Sequence, residues 1–231
     1  MSGVARDPIA VAVVDYGMGN RRSVQKALEH VGATVTVSGD AQRLQRADAL
    51  VVPGVGAFPA AMRSLCELGL VDVIRARATE GTPVLGICLG MQLLFERSVE
   101  LEPTEGLGLI EGEVSPLQAG GLRVPHIGWN EVTFQRPSPL TSGLPQSGAA
   151  FYHVHSLAAR PRHPEDVVAT TTYGETFATI VARQKVFGVQ FHPEKSSAHG
   201  LRMLRSFVEC CEDVRQPPAL RVGGAGVSAR A

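Results

Sequence analysis

Three times in the first ninety residues an apolar run rich in Val, Ile or Leu stops abruptly at a glycine-bearing turn. Residues 9–15 end at Tyr16-Gly17-Met18-Gly19-Asn20, residues 47–52 at Pro53-Gly54, and residues 83–87 at Cys88-Leu89-Gly90. Runs so short and so uniformly apolar suit strands buried on both faces, as in a parallel sheet. Helical spacing fills the intervals. Val24, Leu28 and Val31 share one side of residues 23–31, which stop at Gly32, and residues 58–78 read as one long helix. Residues 33–37 alternate as a strand, and residues 91–96 open another helix. Strand–helix alternation of this kind predicts a parallel sheet with helices on both faces.

The pattern changes in the second half. Residues 109–114, 131–134, 167–172, 176–183 and 186–191 read as strands separated by Gly and Pro, with few helices between them. Antiparallel or mixed pairing is expected there. Residues 200–214 close the domain as a helix, with Leu201, Leu204, Phe207 and Val208 as its apolar face. The expected fold is α/β, a mostly parallel, partly mixed open sheet with flanking helices. Residues 1–8 are expected to form a flexible extension, 9–214 one domain, and 215–231 a disordered tail without periodicity.

Composition narrows the function classes. The 22 basic residues balance the 22 acidic ones, which argues against a nucleic-acid-coating role. No apolar run reaches the ~18–20 residues of a membrane helix, and the start lacks the features of a signal peptide. A cytoplasmic chain without membrane contact is expected. Cys66, Cys88, Cys210 and Cys211 have no disulfide-framework spacing, and there is neither CxxC nor HExxH. No metal and no cofactor are expected. Residues 15–20 lack the third glycine of a dinucleotide fingerprint. His126, His153 and His155 lie far from any suitably spaced cluster and read as satisfied, partly buried histidines.

The sharpest local signal is Gly86-Ile87-Cys88-Leu89-Gly90, the cysteine form of a nucleophile elbow between strand and helix. A cysteine at a helix N-terminus is favoured as thiolate, and the Leu89 amide would face an oxyanion formed at the sulfur. A second signal is Gln190-Phe191-His192-Pro193-Glu194, where a strand ends at His192. In extended chain, residues two apart point the same way, so Glu194 can orient the His192 ring. Third, Pro53-Gly54-Val55-Gly56 forms a turn at the carboxyl edge of the sheet, where open α/β sheets bind ligands. Its amides can supply a second oxyanion donor. Singly, these also fit a buried structural cysteine, a capped strand end and an ordinary turn. Together they make a nucleophile, a base, an orienter and an oxyanion site.

GICLGMQ at Cys88 and FGVQFHPEKS at His192 and Glu194 resemble the class I (triad) glutamine amidotransferases, which carry a flavodoxin-like sheet. DYGMGN at 15–20, PGVGAF at 53–58, PHIGWN at 125–130 and YHVHS at 152–156 are similar to the glutaminase subunits of imidazole glycerol phosphate synthases. The resemblance spans about residues 9–214. It implies hydrolysis of L-glutamine to glutamate and ammonia. The ammonia would be channelled to a (β/α)8-barrel cyclase subunit in a heterodimer of histidine biosynthesis.

By resemblance, Cys88, His192 and Glu194 are the catalytic triad, and Leu89 with Val55 or Gly56 forms the oxyanion hole. Gln92, Glu100 and Ser156 contact the substrate, while Asn20, His126, Trp129, Tyr152 and Lys195 lie at the partner interface or gate. His153 and Leu157 depart from the family, which more often has aromatic residues there. Glutaminases serving anthranilate, carbamoyl phosphate, GMP or pyridoxal cofactor synthesis would share the triad but not the 15–20 and 125–130 motifs. A silent binding module would not keep the nucleophile, and a thiol redox sensor has no use for His-Pro-Glu. Gly54 is expected to let a peptide of the 53–56 turn rotate toward the oxyanion. A Cβ at Gly54 is expected to restrict that rotation without touching Cys88.

Overall fold

The computed structural model describes residues 7–215. The first half runs β1 (Ala10–Val14), α1 (Arg21–His30), β2 (Thr34–Ser38), α2 (Ala41–Arg46), β3 (Ala49–Val52), α3 (Phe58–Glu67), α4 (Leu70–Thr79) and β4 (Val84–Ile87). After it come α5 (Leu89–Leu93), β5 (Phe95–Ser98), β6 (Thr104–Glu105), β7 (Ile110–Pro116), β8 (His126–Phe134), β9 (Ala149–His155) and β10 (Leu157–Pro161). The chain closes with β11 (Val167–Tyr173), β12 (Glu175–Arg183), β13 (Val186–Val189) and α6 (Ser197–Arg215).

Five strands, β2-β1-β3-β4-β13, pair in parallel. Every residue of β3, β4 and β13 is buried, which explains their uninterrupted apolar sequences. Their side chains alternate between two cores. Val11, Val13, Val51, Leu85 and Phe187 pack with Leu28 of α1 and Leu204 and Phe207 of α6. Ala12, Val14, Leu50, Val52 and Val84 pack with Phe58 and Leu65 of α3 and Ile74 of α4. Beyond β13 the sheet continues through β12, β10 and β7, all antiparallel, and then β5, which is parallel to β7, and β6. A branch leaves β12 through β11 to the antiparallel pair β8–β9. The expected mixed α/β sheet is therefore present.

Several local expectations change. The helix expected over 58–78 is two helices, broken at Gly69, which has φ +64°. Apolar residues on both sides of the break hide it from a periodicity argument. The helix expected over 91–96 stops at Leu93, and Phe95–Ser98 is a strand against β7. A short apolar run does not by itself distinguish helix from strand. The strand expected to end at His192 ends at Val189, and α2, β9 and β10 were not expected. The proposed extension over 1–8 and tail over 215–231 lie outside the described residues, except for residues 7, 8 and 215. No helix among the described residues is long and apolar enough to cross a membrane.

Candidate active site

Strands β3, β4 and β13 are adjacent and parallel, with Val52 opposite Gly86 and Ile87 opposite Val189. Pro53, Cys88 and Gln190 therefore leave the sheet side by side, at the ~4.8 Å spacing of paired strands. This brings together three signals separated in sequence by 35 to 102 residues (88 − 53 and 190 − 88).

Cys88 has φ +54°, in a region that side chains other than glycine rarely adopt, while its N–H still donates to Val189 O at 2.8 Å. The flanking glycines make this sharp turn possible. A Cβ on Gly86 would lie 2.5 Å from Gly90 O, and one on Gly90 would lie 1.7 Å from Val52 O. The following helix, α5, has five residues. So short a helix adds little dipole, so the chemistry at the sulfur depends on a partner side chain.

That partner is His192, which is 3% exposed. It is extended at φ −102°, and Pro193–Lys195 form a single 3-10 turn after it. His192 Nδ1 lies 2.9 Å from Glu194 Oε1, the contact expected from the sequence, but Glu194 reaches the ring from the 3-10 turn and not along an extended chain. Its backbone is held as well: His192 N–H donates to Tyr152 O at 2.9 Å, and Ser196 Oγ donates to His192 O at 2.6 Å. Burial works against the imidazolium, but hydrogen bonds and charge from Cys88 and Glu194 outweigh it and raise His192 to about 9. At neutral pH the ring is cationic beside the sulfur. The Cys88 sulfur also contacts Val154 O at 3.6 Å and Gln190 Nε2 at 3.8 Å.

A cavity of about 310 Å³ opens onto the sulfur. It is lined by the expected residues Val55, Gly56, Cys88, Leu89, Gln92, Glu100, Ser156, His192 and Lys195, by Leu157, which departs from the family at the pocket edge, and by the unexpected Pro125, Val154 and His155. Gln92 Nε2 donates to Gln190 Oε1 at 3.1 Å and approaches Leu157 O at 3.5 Å. Glu100 Oε2 accepts the Phe58 N–H at 2.6 Å and so caps α3, whose own N-cap, Ala57, offers no side-chain acceptor. Gln190 was missed by sequence reasoning. Its position two residues before His192 on an apolar run was the available signal.

The 53–56 turn is clamped from beneath. Tyr16 OH donates to Pro53 O at 2.6 Å, and burial, then the nearby Cys88, push the phenol upward, so it stays a neutral donor. The expectation for Gly54 needs correction. A Cβ there would lie 2.6 Å from Tyr16 OH, 2.9 Å from Leu89 Cβ and 3.1 Å from Gly90 N. A substitution at Gly54 would therefore press on the elbow itself, and its effect would not be confined to the turn.

Of the residues expected at a partner surface, Trp129 is 54% exposed and meets Tyr152 edge-on, with centroids 6.2 Å apart. Asn20 caps α1, accepting the Ser23 N–H at 3.4 Å, and Lys195 is exposed at the cavity mouth. His126, expected at or near the interface or gate and read as partly buried, is buried. It is 3% exposed, with its ring stacked between His153 and Tyr173 at 5.0 and 4.1 Å. The alternation of β8 turns it inward while Ile127 and Trp129 face out. His153, where the family more often has an aromatic residue, is fully buried and bonded to Phe151 O and Thr179 Oγ1. Among the described residues no group of three or more His, Cys, Asp or Glu is arranged to hold a metal ion.

The family model described as glutamine amidotransferase class-I matches residues 12–210. The imidazole glycerol phosphate synthase subunit HisH of Moorella thermoacetica is 51% identical over 199 residues, 86% of this chain and 94% of its own. The subunit of the same name from Aquifex aeolicus is 50% identical over 196 residues, 84% and 94% of the two chains. Among solved structures, a glutamine amidotransferase superposes with TM-score 0.70 at 24% identity, covering 87% of this chain and 98% of its own. PurLQS from Thermotoga maritima gives 0.70 at 19% identity, covering 88% and 99%. At those identities the structural likeness speaks for the fold alone.

Proposed function

The chain belongs to the class-I glutamine amidotransferases, and from that premise we propose that it is the glutaminase subunit of an imidazole glycerol phosphate synthase in the cytoplasm. It hydrolyses L-glutamine and passes ammonia to a (β/α)8-barrel cyclase in histidine biosynthesis. The observation that carries this reading is the Cys88 sulfur against the buried His192–Glu194 pair, at the floor of a cavity.

The chemistry follows from that pair. The Cys88 thiolate attacks the amide carbon of glutamine, and the carbonyl oxygen becomes an oxyanion. The Leu89 amide and an amide of Val55 or Gly56 receive it; each such donor contributes ~10²–10³ in rate. The His192 imidazolium gives its proton to the leaving nitrogen, and ammonia departs from the thioester. His192, now neutral, takes a proton from water. The hydroxide releases glutamate, and Cys88 returns as thiolate beside the recharged ring. Glu194 stabilises the cation and fixes the ring. Gln92, Glu100 and Ser156 hold the amino-acid end. The cyclase docks where Asn20, Trp129, Tyr152 and Lys195 meet solvent. A covered route matters because free ammonia is mostly protonated near neutral pH and is then no nucleophile.

The test uses the chain assembled with its cyclase. Cys88→Ala should abolish glutamine-dependent synthesis and leave ammonia-dependent synthesis intact. Alanine at Cys66, Cys210 or Cys211 should leave both intact. Substantial glutamine turnover by Cys88→Ala would refute the assignment of the nucleophile.

A further inference from the structure

His126 and His155 are directly opposite each other on β8 and β9, buried behind the exposed Ile127 and Trp129. Their hydrogen bonds form a chain with one possible direction. His155 Nδ1 lies 2.7 Å from Leu157 O, a carbonyl that can only accept, so Nδ1 carries the proton. A neutral His155 then offers a lone pair at Nε2, 2.9 Å from His126 Nδ1, which must donate. That leaves His126 Nε2 as an acceptor, 3.3 Å from Asn130 Nδ2, which can only donate. The Asn130 amide is oriented independently: Nδ2 also donates to Thr172 O at 3.0 Å, and Oδ1 accepts the Glu131 N–H at 2.8 Å.

A proton added to either ring would set two donors against each other at the Asn130 end. Burial opposes that proton, lowering His126 and holding His155 at about 4. The titratable groups facing the pair are His153 and Tyr173, stacked on His126, and His192, whose charge acts on His155. All of these neighbours are compatible with two neutral rings of fixed tautomer.

The chain ends at the cavity wall. Leu157 O, which receives the His155 proton, is also approached by Gln92 Nε2, and His155, Ser156 and Leu157 line the cavity together. We propose that His126 and His155 are positioning residues that fix the Ser156–Leu157 wall and thereby set the affinity for glutamine. This rests on the glutaminase reading above.

The experiment measures glutamine KM and kcat in the complex. His126→Phe keeps an aromatic ring in the stack but removes both nitrogens. His126→Asn retains a donor at the Nδ1 position. Leaving His155 Nε2 buried without a donor should raise KM about tenfold in His126→Phe, with kcat changed less than about twofold. His126→Asn should restore KM to within about threefold of wild type. Should the phenylalanine variant fail to fold, His126→Gln serves in its place: its amide reaches the Nε2 position and leaves His155 unpaired, so the same KM rise is expected. An unchanged KM in the donor-less variants, an equal rise in His126→Asn, or a loss in kcat alone would overturn the proposal. Failure of the wild-type complex to hydrolyse glutamine would instead refute the glutaminase reading.

Discussion

Replacing Glu194 by Gln tests how the site keeps its base charged. The Glu194 side chain is 1% exposed; Oε1 accepts from His192, while Oε2 is buried with no hydrogen-bond partner. Glutamine can present its carbonyl to His192 Nδ1 and preserve the ring's orientation. It removes the negative charge and places an N–H₂ where no acceptor waits. His192 stands at about 9, against an ordinary 6.5, with burial pulling it down and Cys88 and Glu194 pulling it up. A buried opposite charge at this distance is worth about 1–3 pH units. Losing it should move the alkaline limb of kcat/KM from about 9 to about 7.5. The sign is fixed: a less stable imidazolium gives up its proton at lower pH. At pH 8.5 a ring titrating at about 7.5 is ~9% charged against ~76% for one at about 9, so the variant's activity should lie about elevenfold below its own acid plateau, against about 1.3-fold for the wild type. The assay is glutamate release by the complex between pH 6 and 10. A uniform loss with the limb still at about 9 would refute the argument and reduce Glu194 to an orienting group.

Two further predictions concern stability. In Gly90→Ala the new methyl would meet the backbone oxygen of Val52 at 1.7 Å, which no side-chain rotation relieves. A cost of about 3 kcal/mol or more is expected, lowering Tm by roughly 6–12 °C; an unchanged Tm would show that β3 and the elbow separate easily. The buried histidines predict the acid limb of the unfolding free energy. His153 is lowered to about 3 and His155 to about 4, against 6.5 in the unfolded chain. The unfolded state therefore binds more protons below pH 6.5, and stability should fall as pH drops from about 6.5 toward 4. Denaturant titrations across that range check it, and replacing His153 by Phe should flatten the slope.

The sequence by itself determined the parallel half of the sheet and the chemistry of each motif. Both are local properties. β1, β3 and β4 are legible because a strand buried on both faces has no polar positions to confuse the pattern. Gly86 and Gly90 are legible because an elbow cannot be built with a Cβ at either place. Glu194 was legible as the partner of His192 from the short His-Pro-Glu motif, although it reaches the ring from a 3-10 turn and not along an extended strand. Tertiary structure alone decided which motifs meet. β13 could have paired elsewhere; its place beside β4 sets the Val189 carbonyl on the Cys88 amide and carries His192 to the sulfur. The same holds for the clamp of Tyr16 on Pro53, which links residues 37 apart. It also holds for the pairing of His126 with His155, 29 apart, which no local pattern indicated. Strand order and register are set by the packing of two cores at once, and no window of sequence contains that information.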